Sequence, residues 1–179
     1  MLMFDDLHLH SAAPMHNRSD WFAPHLLMYA YVFNAARDVV APEGAAAPEQ
    51  KPWGIAGRAN DVRRTVQIRM GDDMRFTPDR LEITEGETVR LRVANAGGVL
   101  HELVIGTRQE LEEHAALMRK HPNMEHDEPY MAHVAPGRTG SLVWNFNRPG
   151  EFEFACLIPG HFEAGMVGKI TVLAKSQGK

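Results

Sequence analysis

The sequence is poor in cysteine, in basic charge and in long apolar runs, and each shortage excludes a class of protein. One cysteine among 179 residues, Cys156, rules out an internal disulfide, so cysteine usage does not fix the redox compartment. The 19 basic residues are outnumbered by 23 acidic ones, and a net charge of −4 gives no sign of nucleic-acid binding. No stretch reaches the roughly 18 apolar residues of a membrane helix, so we expect no membrane span.

Methionine and histidine are, by contrast, frequent, with ten residues of each. Both side chains bind soft or borderline metals, although methionine more often fills gaps in a core. Their positions therefore matter more than their number. Many of them lie in the first 36 residues or between residues 114 and 133.

The first 60 residues differ in composition from the rest and are interpreted as an extension, with a single domain at 61–179. Residues 41–52 are rich in alanine, proline and glutamate, which is typical of a linker. The most apolar stretch, 21–36, resembles a poor signal-peptide core, and a misassigned start codon is an equal alternative. Histidine and methionine at 8–16 would catch copper loosely, or belong to a disordered terminus.

After residue 61 the apolar residues alternate with polar ones, as in half-buried strands. Val66, Ile68 and Met70 show this period of two, and a turn at Glu85–Gly86 predicts antiparallel pairing of the strands beside it. Short strands separated by glycine and proline predict a β-sandwich. The predicted strands are 66–70, 81–83, 89–93, 101–106, 141–146, 151–156 and 166–173.

One segment breaks the strand pattern and predicts a helix over 108–120. Thr107 and Glu110 have the spacing of a capping box, and Leu111, Ala115 and Met118 fall on one helical face. Three roles are open for the helix and the loop after it: a second, weaker copper site, a cover that tunes a metal site, or ordinary core and surface packing. The candidate side chains are His114, Met118, His121, Met124, His126, Met131 and His133.

The sequence CLIPGHFEAGM spaces Cys156, His161 and Met166 five residues apart. Cys156 has three possible roles: a buried apolar thiol, a catalytic nucleophile with a neighbouring base, or a metal ligand. Alternate residues of the preceding strand, EFEFAC, share one side, so Cys156 should point inward with the phenylalanines. Pro159 and Gly160 then turn the chain, which allows all three donors to converge on one ion.

Thiolate, imidazole and thioether form a soft donor set. With a second histidine they make the trigonal His₂Cys site with a weak axial methionine, as in blue-copper centres. The best candidate for that histidine is His101, which begins the strand HELVIG after the Gly97–Gly98 turn. Zinc is the main alternative, because cysteine and histidine suit it, but methionine is a poor zinc ligand.

With these residues, the chain resembles the cupredoxins, the type 1 copper proteins, over about residues 62–174. The spacing C-x4-H-x4-M with an upstream histidine is similar to their copper signature. The segments HELVIG, NMEHDEPYMAHVAPG and FACLIPGHFEAGMVGKI resemble the periplasmic copper-tolerance cupredoxins of the CopI group. The resemblance implies an all-β, Greek-key β-sandwich with an inserted helix and loop. It implies one type 1 copper per chain, held by His101, Cys156, His161 and Met166.

The same residues exclude other copper centres. A dinuclear centre needs two cysteines in the loop, and this chain has one. Cys156 is flanked by Ala155 and Leu157 rather than by histidines that lead to a trinuclear cluster. Glu102 stands where plastocyanins and azurins usually have asparagine, which changes the surroundings of the ligands.

The resemblance implies a role in copper tolerance or homeostasis, with one-electron Cu(II)/Cu(I) chemistry. The alternative is a dedicated electron carrier similar to plastocyanin or azurin. We expect no enzyme activity beyond a weak cuprous oxidase reaction, and a monomer that meets a redox partner protein only transiently. The resemblance also implies a periplasmic location. Copper stoichiometry separates the roles, because a carrier needs one tightly bound copper and sequestration needs more.

Overall fold

The computed structural model describes residues 47–121 and 126–176. Within these ranges, two five-stranded sheets form a β-sandwich, and one α-helix interrupts the order of the strands. The predicted strands and helix are present, and β1, β3 and β7 are additional. In chain order the elements are β1 (Ile55–Ala56), β2 (Arg64–Gly71), β3 (Arg75–Thr77), β4 (Arg80–Thr84), β5 (Glu87–Asn95), β6 (His101–Gly106), α1 (Arg108–Lys120), β7 (Met131–Val134), β8 (Thr139–Phe146), β9 (Gly150–Ala155) and β10 (Val167–Leu173).

The predicted β-sandwich is confirmed, but one predicted pairing is wrong. The sheets have the orders β1-β8-β5-β2-β3 and β4-β10-β9-β6-β7, so β4 and β5 lie in different sheets. The turn between them crosses from one sheet to the other, because Glu85 N–H donates to Leu173 and Gly86 N–H donates to Phe146. Gly86 has a φ of +85°, which a glycine adopts without strain. Each strand then pairs in parallel with a distant strand, β4 with β10 and β5 with β2.

The alternating apolar residues of both sheets meet in one buried core, which explains the period of two seen in the sequence. Trp53 belongs to this core, stacks on Trp144 at 4.6 Å, and accepts a hydrogen bond from the Trp144 indole through its carbonyl. The adjacent strand β1 pairs with β8. The folded unit therefore includes residues 51–56, which the sequence assigned to the extension.

The helix α1 has the bounds and the capping box that the sequence predicts. Its buried face is Leu111, Ala115 and Met118. Glu110 closes the capping box and also accepts a hydrogen bond from the Trp53 indole at 2.8 Å. The helix is therefore fastened at its first turn to the segment that carries β1.

The interpretations of residues 1–46 as a signal segment or a copper-catching tail concern a part of the chain outside the described residues. Where the structure describes the chain, none of its helices combines the length and the apolar character that crossing a bilayer requires.

Candidate metal centre

His101 is the first residue of β6 and its side chain is completely buried. Its Nε2 atom lies 3.4 Å from an Asp72 carboxylate oxygen. Its Nδ1 atom is buried and has no hydrogen-bond partner in the described part of the chain. A buried imidazole nitrogen in this state is costly unless something binds it, so His101 is prepared to donate a lone pair to an ion.

Cys156 follows β9, where the alternation of inward residues continues from Phe152 and Phe154. Its sulfur lies 3.3 Å from the His161 Nδ1 atom. The same sulfur accepts the backbone N–H of Glu102 at 3.4 Å. That bond ties the cysteine to β6, the strand that carries His101.

Two backbone hydrogen bonds close the loop 156–166. The Cys156 N–H donates to the Met166 carbonyl, and the Met166 N–H donates to the His161 carbonyl, each at 3.1 Å. Gly160, with a φ of +90°, makes the turn that returns His161 to the cysteine. Met166 is completely buried in the same core cluster as Cys156.

The ligand atoms of His101, Cys156 and His161 all lie within 4.8 Å of one another. Donors held by one ion at about 2.0–2.3 Å are separated by roughly 3–4 Å, and the sulfur–nitrogen distance of 3.3 Å falls in that range. A thiolate with two imidazoles suits copper. The residues present therefore fit the metal.

Burial raises the pKa of the Cys156 thiol to about 12, because the thiolate is poorly solvated beside the Glu102 carboxylate. The thiol is therefore protonated at neutral pH, which disfavours its role as a catalytic nucleophile. A metal that binds there displaces this proton. Burial and the neighbouring His101 lower the pKa of His161, which keeps that imidazole in the neutral, metal-binding form.

Glu102 connects the two halves of the centre and is itself buried. One carboxylate oxygen accepts the Leu157 backbone N–H at 2.9 Å, and the other lies 2.8 Å from the His133 Nε2 atom. The sequence showed only that Glu102 departs from the usual asparagine. In the structure its side chain still joins the first ligand strand to the loop after Cys156.

Asp72 and Asn95 support His101, and the sequence did not indicate either of them. The Asn95 amide donates to the carbonyls of Val99 and Val134, each at 2.8 Å, which fixes the turn before His101. The Asp72 carboxylate accepts the Gly98 N–H at 2.7 Å. A Cβ on the neighbouring glycine 97 would overlap that carboxylate. No local pattern reveals this support, because Asp72 lies on a distant turn.

The inserted helix contacts the ligand loop directly. Arg119 forms an ion pair with Glu163, whose other carboxylate oxygen accepts the Gly160 N–H at 3.0 Å. The Arg108 guanidinium lies 5.5 Å from the centre of the Phe162 ring. Leu111 and Ala115 pack in one cluster with Leu157. These contacts support the covering role that the sequence left open.

In the described part of the insertion, Met118 and His121 do not join the other candidate side chains. Met118 is buried beneath α1, whereas His121 is exposed at the end of the helix. Met124 lies outside the described residues. His126 instead meets His114, with 2.7 Å between their Nε2 atoms.

The chain is similar to known copper-binding proteins. Residues 62–173 match the family of copper-binding proteins described as the plastocyanin/azurin family. This chain belongs to that family. The predicted resemblance to cupredoxins is confirmed, and copper is the metal of the family.

Curated relatives of this cupredoxin carry the name copper-resistant cuproprotein CopI. The protein from Rubrivivax gelatinosus is 51% identical over 121 residues, which cover 68% of this chain and 73% of that protein. The protein from Pseudomonas aeruginosa is 30% identical over 176 residues, which cover 82% of this chain and 93% of that protein. The predicted likeness to the CopI group is therefore confirmed.

Solved structures give the same fold. A structure of auracyanin B superimposes with a TM-score of 0.57 and covers 72% of this chain and 99% of that protein. Its sequence identity is 24%, so it supports the architecture alone. The β-sandwich with an inserted helix is therefore a cupredoxin fold.

Proposed function

We propose that this cupredoxin binds one copper ion in a type 1 site and acts in copper tolerance. His101, Cys156, His161 and Met166 would hold the ion. The single observation that carries the proposal is the buried, unpartnered Nδ1 atom of His101, which belongs to a donor set within 4.8 Å that includes the Cys156 sulfur. The names of the curated relatives support the tolerance role.

When bound, copper supplies one-electron exchange between Cu(II) and Cu(I). The protein holds the donors in one arrangement that suits both oxidation states. His101 is fixed by the strand β6 and by Asp72, and Cys156 is fixed by the Glu102 N–H. Because these supports lie in a packed sandwich, the ligands move little, and little reorganisation opposes electron exchange.

Absorption spectroscopy tests the metal centre. One equivalent of Cu(II) added to the metal-free protein is expected to produce intense visible bands from the copper–thiolate bond. Cys156→Ser should abolish these bands, and His101→Ala should weaken or shift them. The matched control is His121→Ala, because His121 is exposed at the end of α1. Visible bands that survive Cys156→Ser would overturn the assignment.

Growth of a copper-sensitive bacterium tests the role in tolerance. Expression of the full chain should raise the copper concentration that stops growth, and Cys156→Ser should remove the protection. Equal protection by the native chain and by Cys156→Ser would show that tolerance does not depend on the type 1 site. We place this role in the periplasm, by analogy with the relatives, and without a substrate of its own. A steady-state cuprous oxidase assay tests the enzymatic alternative.

A second candidate is a dedicated electron carrier, and one surface feature favours it. Val99 and Leu100, in the turn before His101, are 44% and 47% exposed although both are apolar. An apolar edge beside the centre suits a brief encounter with a redox partner, since such interfaces are small. Leu100→Asp should then slow electron transfer to a partner without changing the visible spectrum. If that variant changes tolerance alone, the carrier role is wrong.

A further inference from the structure

Two imidazoles meet outside the proposed type 1 site. His114 lies on α1 and His126 lies in the loop between α1 and β7. Their Nε2 atoms are 2.7 Å apart, and the ring centres are 4.7 Å apart. Both side chains are half-buried. The pair therefore brings together nitrogen donors from two segments of the insertion.

A third imidazole approaches from the neighbouring strand β7. The ring of His133 lies 6.3 Å from the ring of His126, centre to centre. Its Nε2 atom is 2.8 Å from a Glu102 carboxylate oxygen, and its side chain remains 35% exposed. Three separate elements thus bring imidazoles into one region of the surface.

The protonation of the pair suits a metal. Burial and the neighbouring His126 lower the pKa of His114, so this ring is neutral at neutral pH. Two charged imidazolium rings at this distance would repel each other, whereas one neutral ring donates a hydrogen bond to another. Neutral imidazole is the form that ligates metals, and an ion would take the place of the shared proton.

The two nitrogens lie at a distance close to that of adjacent metal ligands. Two nitrogens bound at about 2.0 Å lie about 2.8 Å apart at right angles and about 3.3 Å apart in a tetrahedron. The observed 2.7 Å is that of a hydrogen-bonded pair, so a bound ion needs only a small movement of the rings. Cu(II) is favoured because it is the divalent ion that nitrogen donors bind most strongly.

An ion can reach the pair from solvent. His114 and His126 line an open groove of about 360 Å³, together with Glu113 and Tyr130. The groove leaves room for water ligands that would complete a tetragonal coordination shell. The type 1 donors, in contrast, include the completely buried His101 and Cys156.

We propose that His114 and His126 form a second metal site that binds Cu(II). The site is separate from the type 1 centre and goes beyond the function proposed above. It uses two of the seven candidate side chains that the sequence suggested, and it leaves out Met118, which is buried, and His121, which is exposed. A chain with this site would hold copper beyond its redox centre.

The first test counts the copper that each full-length chain holds. Equilibrium dialysis with Cu(II) compares the native chain with the double variant His114→Ala/His126→Ala and with the control His121→Ala. The double variant should lose one Cu(II) per chain, and the control should lose none. The other histidines are unchanged in the double variant, so the copper that they bind does not affect the difference between the two chains. Circular dichroism verifies that each variant is folded.

Equal copper counts for the folded double variant and the native chain would overturn the proposal, as would an equal loss in the control. The visible bands of the Cys156 centre are a separate readout. Their absence would contradict the type 1 assignment, whereas the loss of one copper in the double variant concerns the histidine pair alone. The two proposals therefore fail independently.

A second measurement needs no substitution. Cu(II) is paramagnetic, so nuclear magnetic resonance signals of nearby protons broaden when it binds. Cu(II) titrated into the native chain should broaden the ring signals of His114 and His126 at lower copper concentrations than those of His121, which lies two helical turns from His114. Sharp signals from both rings at copper saturation would overturn the proposal, even if the double variant did not fold.

Discussion

The carboxylate of Glu102 accepts the backbone N–H of Leu157 at 2.9 Å. In return, the backbone N–H of Glu102 donates to the sulfur of Cys156 at 3.4 Å. These two bonds join Glu102, which follows His101, to Cys156 and to Leu157. The two segments that carry the proposed ligands are thus joined by hydrogen bonds of the protein itself.

Glu102→Ala should destabilise the metal-free protein by about 1–3 kcal/mol, because the buried Leu157 N–H loses its acceptor. Glu102→Gln keeps an oxygen at that place and should cost less, although it loses the charge beside His133. Urea unfolding of the metal-free variants measures both effects. Equal losses for alanine and glutamine would show that the hydrogen bond to Leu157 contributes little.

Met166→Leu conserves volume in the core and should cost less than about 1.5 kcal/mol of stability. If Met166 is one of the copper ligands, this variant keeps the intense copper–thiolate absorption but shifts its wavelength and changes the reduction potential. Met166→Ala leaves a cavity and should cost about 2–5 kcal/mol. Absorption spectra and voltammetry of Met166→Leu decide the matter, since an unchanged spectrum and potential would exclude Met166 as a ligand.

Arg119→Ala should change copper release more than stability. The pair with Glu163 is about half exposed, so its contribution to folding is below about 1 kcal/mol. It nevertheless fastens α1 to the loop that carries His161. The rate of copper transfer to a chelator should rise in this variant, and the difference should shrink at high salt. Lys120→Ala, on the same helix, is the control. An equal rise in the rate of copper transfer in Lys120→Ala would contradict the role of the Arg119–Glu163 ion pair.

Glu110→Gln keeps an oxygen for the capping box but loses the charge, and it should reduce stability by about 1 kcal/mol at neutral pH, because hydrogen bonds to a charged group are stronger than those to a neutral one. Burial raises the pKa of Glu110, but hydrogen bonds from Thr107 and Trp53 outweigh it and lower the pKa below its ordinary value. The carboxylate therefore stabilises the fold above the ordinary glutamate pKa, and this contribution is lost as the pH falls below that value and through the lowered pKa of the folded state. Unfolding curves of both proteins should converge as the pH falls, and a constant difference would contradict this explanation.

Local patterns predicted much of this molecule. The capping box located α1 with its bounds, and the alternation before Cys156 predicted its inward direction. Pairing between distant strands escaped prediction, because the turn at Glu85–Gly86 is equally compatible with a hairpin and with a crossing between sheets. The meeting of His114 and His126 and the support of His101 by Asp72 were likewise invisible, since they depend on tertiary contacts.

His101 and Cys156 belong to different strands, and the sandwich must close before they can meet. A nascent or partly denatured polypeptide therefore lacks the complete donor set, because the loop 156–166 does not contain the second histidine. Only a chain with complete tertiary structure would therefore bind the metal with all of its donors. A partly unfolded chain would release the metal instead of holding it in an incomplete site.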